Sequence, residues 1–147
     1  MKRSGAGMKA AEIVSEFFQR EANQDIQGMG SLMSSDIVYE MPFGLQAGQI
    51  QGKEKLLQLL DQFIGKENGM YAAWEISNIR VYPVGDGKTE LVFAEMESKG
   101  TVKQSGFAYA QSYVSLVQVS DGQICLWREY FNPIPLQHAL ASIDDHK

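Results

Sequence analysis

From Tyr71 to Phe131 the chain alternates apolar and polar residues with period two, broken only by short turn-forming groups. The breaks at Gly85-Asp86-Gly87, Lys99-Gly100 and Ser120-Asp121-Gly122 predict four strands: 74–84, 90–98, 106–119 and 124–131. Such a run reads as a long antiparallel meander. Ahead of it lie helical periodicities instead. Ala10, Ile13, Val14, Phe17 and Phe18 recur at helical spacing to about Asn23, and Leu56, Leu57, Leu59, Leu60, Phe63 and Ile64 form a wide stripe after Gly52. Asp25 is positioned to cap a shorter helix containing Ile26, Met29, Leu32 and Met33 and ending near Ser34-Ser35. Between these helices, Ile37 to Met41 reads as a strand halted by the Pro42-Phe43-Gly44 bend. Helices first and strands afterwards predict an α+β fold, with the sheet covered by the amphipathic helices.

At 147 residues the chain suits one domain, expected over residues 9–140 between a flexible terminus at 1–8 and a polar tail at 141–147. The net charge of −5 and the absence of a Lys/Arg run argue against nucleic acid or an anionic membrane as partner. Cys125 is the single cysteine, which excludes an intrachain disulfide and points to a reducing, cytoplasmic setting. No apolar run follows the basic start, so neither a signal peptide nor a membrane span is expected. His138 and His146 are the only histidines, so no metal site is expected, and no cofactor fingerprint is present. His138 reads as a solvated residue of a terminal helix.

The final strand carries the chemistry. Its alternation places Trp127, Glu129 and Phe131 on one face and Arg128 and Tyr130 on the other, so a carboxylate stands between two aromatic rings. Such a group is either a general acid or base with a raised pKa or half of a salt bridge, with Arg80 as one possible partner. On the preceding strand Tyr109, Gln111, Tyr113 and Ser115 share a face, a pattern that suits a pocket wall. Glu95 and Glu97 share a face with Phe93, Glu97 reading as solvated and Glu95 as a second candidate pocket carboxylate. Trp74 reads as core; Met29, Met33, Met41 and Met70 are core fillers or, where they reach a cavity, an adaptable lining.

The order of elements and the Tyr39-Glu40-Met41-Pro42-Phe43-Gly44 segment resemble the nuclear-transport-factor-2-like superfamily, which includes ketosteroid isomerases and SnoaL-like polyketide cyclases. The resemblance implies a curved sheet wrapped around N-terminal helices, a conical pocket, and a homodimer across the outer sheet, on which no exposed apolar stripe is evident from sequence. It sets Met41 where the isomerases hold their catalytic base, and Phe17 and Ser115 near their oxyanion-hole pair, so isomerisation by that mechanism is not expected. Glu40 is expected to point away from the pocket. The stretches Gly52-Lys53-Glu54-Lys55-Leu56, Trp74-Glu75 to Glu95, and Arg128 to Pro133 look like the phenazine biosynthesis A/B branch. That likeness puts Glu129 at the branch's acid/base glutamate and Leu59 at its pocket histidine. The ligand so implied is a small hydrophobic or aromatic metabolite, met by Glu129 as catalytic residue and by Trp127, Phe131, Tyr109, Tyr113, Ser115, Met41, Phe17, Leu59 and Glu95 as binding residues. The alternative is a non-catalytic binding or interaction domain, and a second proton-handling group in the same cavity would separate the two.

Overall fold

A computed structural model describes residues 9–44, 48–84 and 90–144 of the chain; the expected 1–8 terminus, the Gly85-Asp86-Gly87 turn and His146 lie outside them. Helix α1 spans Ala10–Ala22, with the Lys9 N–H donating to Glu12 Oε1 at 3.0 Å in its first turn. Helix α2 spans Ile26–Gly30 and is capped as expected, Asp25 accepting the Gly28 N–H at 2.9 Å. It is shorter than its apolar spacing predicts. Gly28 and Gly30 weaken it, and the Leu32 carbonyl is taken by the Ile124 N–H at 2.8 Å, drawing Met33–Met41 into strand β1.

Strand β2, Gly48–Gln51, pairs antiparallel with β1 and was not foreseeable from its glycine, glutamines and lone isoleucine. Gly52, at φ 105°, adopts a backbone that favours glycine and leads into α3, Lys53–Ile64, which buries Leu56, Leu60 and Ile64. Four long strands follow: β3 (Tyr71–Val84), β4 (Glu90–Val102), β5 (Ala108–Ser120) and β6 (Gln123–Phe131). The sheet order is β2-β1-β6-β5-β4-β3, and β1 runs parallel to β6. The sheet is therefore mixed rather than wholly antiparallel, because the first strand lies beside the last one, with α3 and four strands between them in the chain. A bulge between Ser77 and Arg80, with Asn78 at φ 57°, bends β3.

Lys99-Gly100 does not end β4. Gly100 is where the sheet passes closest to two rings: a Cβ there would lie 2.8 Å from Tyr71 Cδ1 and 3.2 Å from Trp74 Cε3. After β6, Asn132 Oδ1 accepts the Ile134 N–H at 3.0 Å and starts α4, Pro133–Asp144, which carries residues 141–144 beyond the expected domain boundary. The core lies between the concave face and helices α1 and α3, with Phe17 and Phe18 edge-on to Trp127 at 4.9 and 6.0 Å. On the outer face Tyr82, Val84, Phe93 and Val114 are exposed, an apolar surface that the sequence analysis did not foresee. Arg80 also faces outward and bridges Glu95 at 3.3 Å and Glu97 at 2.7 Å, so it is not the partner of Glu129.

Candidate functional site

Strand β6 delivers the expected split: Trp127, Glu129 and Phe131 are buried, whereas Arg128 faces out and donates to Glu40 Oε1 at 2.7 Å. Among the described residues Glu129 has no cationic partner. Tyr39, from the parallel neighbour β1, donates its hydroxyl to Glu129 Oε1 at 2.8 Å, and Ser115, directly across on β5, reaches Oε2 at 3.5 Å. Burial pushes the Glu129 carboxyl up to about 7, against the lowering effect of those two hydroxyl donors.

A second carboxylate shares the site. Glu21 sits on the buried face of α1, is 8% exposed, and has its pKa raised well above the usual range by burial and by the charge of Glu129. Sequence reasoning passed over it, although the signal was there: position 21 continues the 13, 14, 17, 18 apolar stripe, where an unpaired acid is out of place. The role of Tyr39 was also missed, since its contact to Glu129 depends on the β1–β6 pairing.

The two carboxyls open on a cavity of about 680 Å³ enclosed by the sheet, α3 and α4. Phe131, Tyr109, Tyr113, Met41 and Leu59 line it, and α4 contributes Leu136 and Leu140. Trp127, Phe17 and Ser115 do not line it: all three are fully buried, and Ser115 acts at one remove, holding Glu129 and accepting from Trp127 Nε1 at 3.4 Å. Glu95 is not a cavity residue because β4 turns it to the outer face with Arg80; Glu97, expected to be solvated, shares that ion pair. Glu40 likewise points outward, as expected.

Trp74, taken as core from sequence, lines the cavity, and its buried indole N–H has no acceptor. Its ring lies 4.9 Å from Tyr71 and 6.4 Å from Tyr109, making an aromatic wall. Hydroxyls run on from there: Tyr109 to Tyr113 at 3.1 Å, and Tyr113 to Ser98 at 2.8 Å. Met29 and Met33 fill the core, Met70 packs against it, and His138 is exposed on α4. Burial pushes the Cys125 thiol up, the wrong direction for a nucleophile. Among the described residues no group of three His, Cys, Asp or Glu side chains could hold a metal ion, and no helix is long and apolar enough to cross a membrane.

The SnoaL-like domain family matches residues 14–127. An uncharacterised PhzA/B-like protein of Pseudomonas aeruginosa is 25% identical over 139 residues, covering 93% of this chain and 94% of the relative. Two solved structures share the fold. One, from Bacillus subtilis and named as a candidate isomerase, superposes with a TM-score of 0.75 at 24% identity, covering 90% of this chain and 93% of its own. The other, an NTF2-like protein of Burkholderia xenovorans, has a TM-score of 0.67 at 22% identity, covering 88% of this chain and 94% of its own.

Proposed function

Because the chain belongs to the SnoaL-like family, we propose that its cavity binds a small, hydrophobic, ring-containing metabolite on which Glu129 moves a proton in a cofactor-independent isomerisation, cyclisation or dehydration. The observation that carries this is the state of Glu129: a buried carboxyl, held by Tyr39 rather than by a cation, with its pKa raised to about 7 at the wall of an apolar cavity. A general acid or base works best when its pKa lies near the operating pH. The cavity also contains further groups able to hold or donate protons, Glu21 and Tyr113, which a simple greasy binding pocket would not need.

The experiment is to identify a co-purified small molecule by native mass spectrometry and follow its turnover by wild type and Glu129→Gln. Loss of general acid/base catalysis should lower turnover by about 10² to 10⁴-fold with binding retained. Unchanged turnover would remove Glu129 from the mechanism. Met41 favours the second reading, a non-catalytic binding domain: it lines the cavity at the position that the ketosteroid isomerases give to their base, and a thioether takes no proton. Ligand binding with no chemical change in any variant would establish that reading instead. We also propose a homodimer formed through the outer sheet, supported by the exposure of Tyr82, Val84, Phe93 and Val114 there.

A further inference from the structure

We propose that the ligand of this cavity is an organic monocation, an apolar ring-containing body carrying one protonated amine, whose N–H groups meet Glu21 and Glu129. The inference rests on the cavity being the binding site, as proposed above, but not on Glu129 moving a proton.

Charge balance is the first ground. Two carboxyls face one largely apolar cavity, and no lysine, arginine or histidine is among the described residues lining it. The described arginines are engaged elsewhere. Arg20, adjacent to Glu21, turns away to Glu16 at 2.8 Å and to the Gly28 carbonyl and Ser31 hydroxyl at 2.7 Å each. Arg80 holds Glu95 and Glu97, and Arg128 holds Glu40. A buried carboxyl without a counter-charge keeps its proton because ionising is costly, and a ligand that brings one positive charge lets the pair ionise without that cost.

Unmet hydrogen bonding is the second. Glu21 is more than nine-tenths buried and lines the cavity, and among the described residues its nearest charged neighbour is Glu129 rather than a cation. Glu129 has one short donor, Tyr39, and one long one, Ser115, leaving lone pairs on both oxygens. An ammonium brings three donors to this pair, whereas a neutral hydroxyl brings one. The walls suit the rest of such a ligand. Tyr71, Trp74 and Tyr109 line the cavity with aromatic rings, which suit an apolar ring-containing body, and aromatic rings also favour positive charge placed over their faces. The unpartnered Trp74 N–H is a separate sign that the cavity is shaped for a guest, since an acceptor on the ligand body would satisfy it.

The pH dependence follows from the groups facing the pair. Tyr39, Tyr71, Tyr109 and Tyr113 all have pKa values raised by burial, so they stay neutral, and the charge of the site near neutrality is that of the two carboxyls. Burial holds protons on both. A bound cation favours the ionised forms, so binding releases protons and strengthens as pH rises, up to the amine's own deprotonation near pH 10.

Isothermal titration calorimetry with 1-adamantylamine and its isostere 1-adamantanol tests this on the full chain, in phosphate and in Tris to count protons released. Near pH 8 the amine should bind about tenfold or more tighter than the alcohol, as charge-assisted hydrogen bonds are stronger than neutral ones, and the preference should shrink near pH 5.5. Glu21→Gln should abolish most of the preference, and Glu21→Leu, which completes the apolar stripe of α1, should do the same. Equal affinity for the two probes, or a preference that survives both Glu21 variants, overturns the proposal. Binding of neither probe overturns it together with the proposed binding site. Amine-selective binding, with turnover of an identified ligand indifferent to Glu129→Gln, leaves the cation site standing and removes only the acid/base step.

Discussion

The chemistry of Glu129 is set by one hydroxyl more than by any other side chain. Tyr39 donates to it at 2.8 Å, whereas Ser115 stands off at 3.5 Å. A donor to a carboxylate stabilises the charged form, so Tyr39 holds the pKa down against burial. Tyr39→Phe should therefore raise the Glu129 pKa further above about 7, by about one unit. Carbon-13 NMR titration of labelled glutamate reads this directly, and an unchanged or lowered value would deny Tyr39 its role. At this scale Glu129 itself was legible, because a strand's two-residue period decides which face a residue takes. Glu21 was legible in principle as an acid inside a helical stripe. Tyr39's contact was not, since it depends on two strands separated by most of the chain meeting in parallel.

Among the elements, β3 carries Tyr71 and Trp74 of the aromatic wall, and β4 approaches both rings closely at Gly100. A side chain there would run into the Tyr71 and Trp74 rings and into the backbone carbonyl of Ala73, 3.1 Å away, which cannot turn aside as a side chain can. Gly100→Ala should cost about 1–3 kcal/mol by overpacking and displace Trp74, seen as a lower denaturation midpoint together with altered tryptophan emission. Full stability with native emission would mean that the approach is looser than the geometry implies. Gly100 also shows why element boundaries were hard to place. A glycine in a strand pattern signals either a break or a close approach, and only the rings packed across it decide which. The long strands and both amphipathic helices were readable from periodicity, but β2 has too little of it, and the end of α2 was decided by a β6 amide claiming the Leu32 carbonyl.

For the whole molecule, two consequences separate the outer face from the inner one. The outer sheet exposes Tyr82 and Phe93, directly paired across β3 and β4. A charge placed there should disperse the proposed dimer. Phe93→Glu is expected to sediment as a monomer under conditions where wild type sediments as a dimer, and a monomeric wild type would remove the dimer altogether. This surface escaped sequence analysis because its members lie on alternate positions of three strands and become a patch only when the sheet assembles.

The inner face makes stability depend on pH in the unusual direction. Glu129 has an ordinary carboxyl pKa of 4.5 once unfolded and about 7 in the folded chain. Between those values the native state holds the proton that the unfolded chain has lost, so stability falls as pH rises through the window. Glu129 alone is worth on the order of 3 kcal/mol across it, and Glu21, also raised by burial, adds to the same trend. Glu40 acts elsewhere. Its pKa is lowered by Arg128 and Gln49, so its contribution is present above its unfolded pKa and lost only on further acidification. Urea denaturation of the ligand-free protein should accordingly give a higher midpoint near pH 5 than near pH 8. The difference should shrink in Glu129→Gln and vanish in Glu21→Leu/Glu129→Gln, whose cavities carry no titrating acid. A midpoint that instead rises between pH 5 and pH 8 would mean that both carboxyls are ionised and partnered in the folded chain, and would contradict the unpaired acidic site on which the binding chemistry depends.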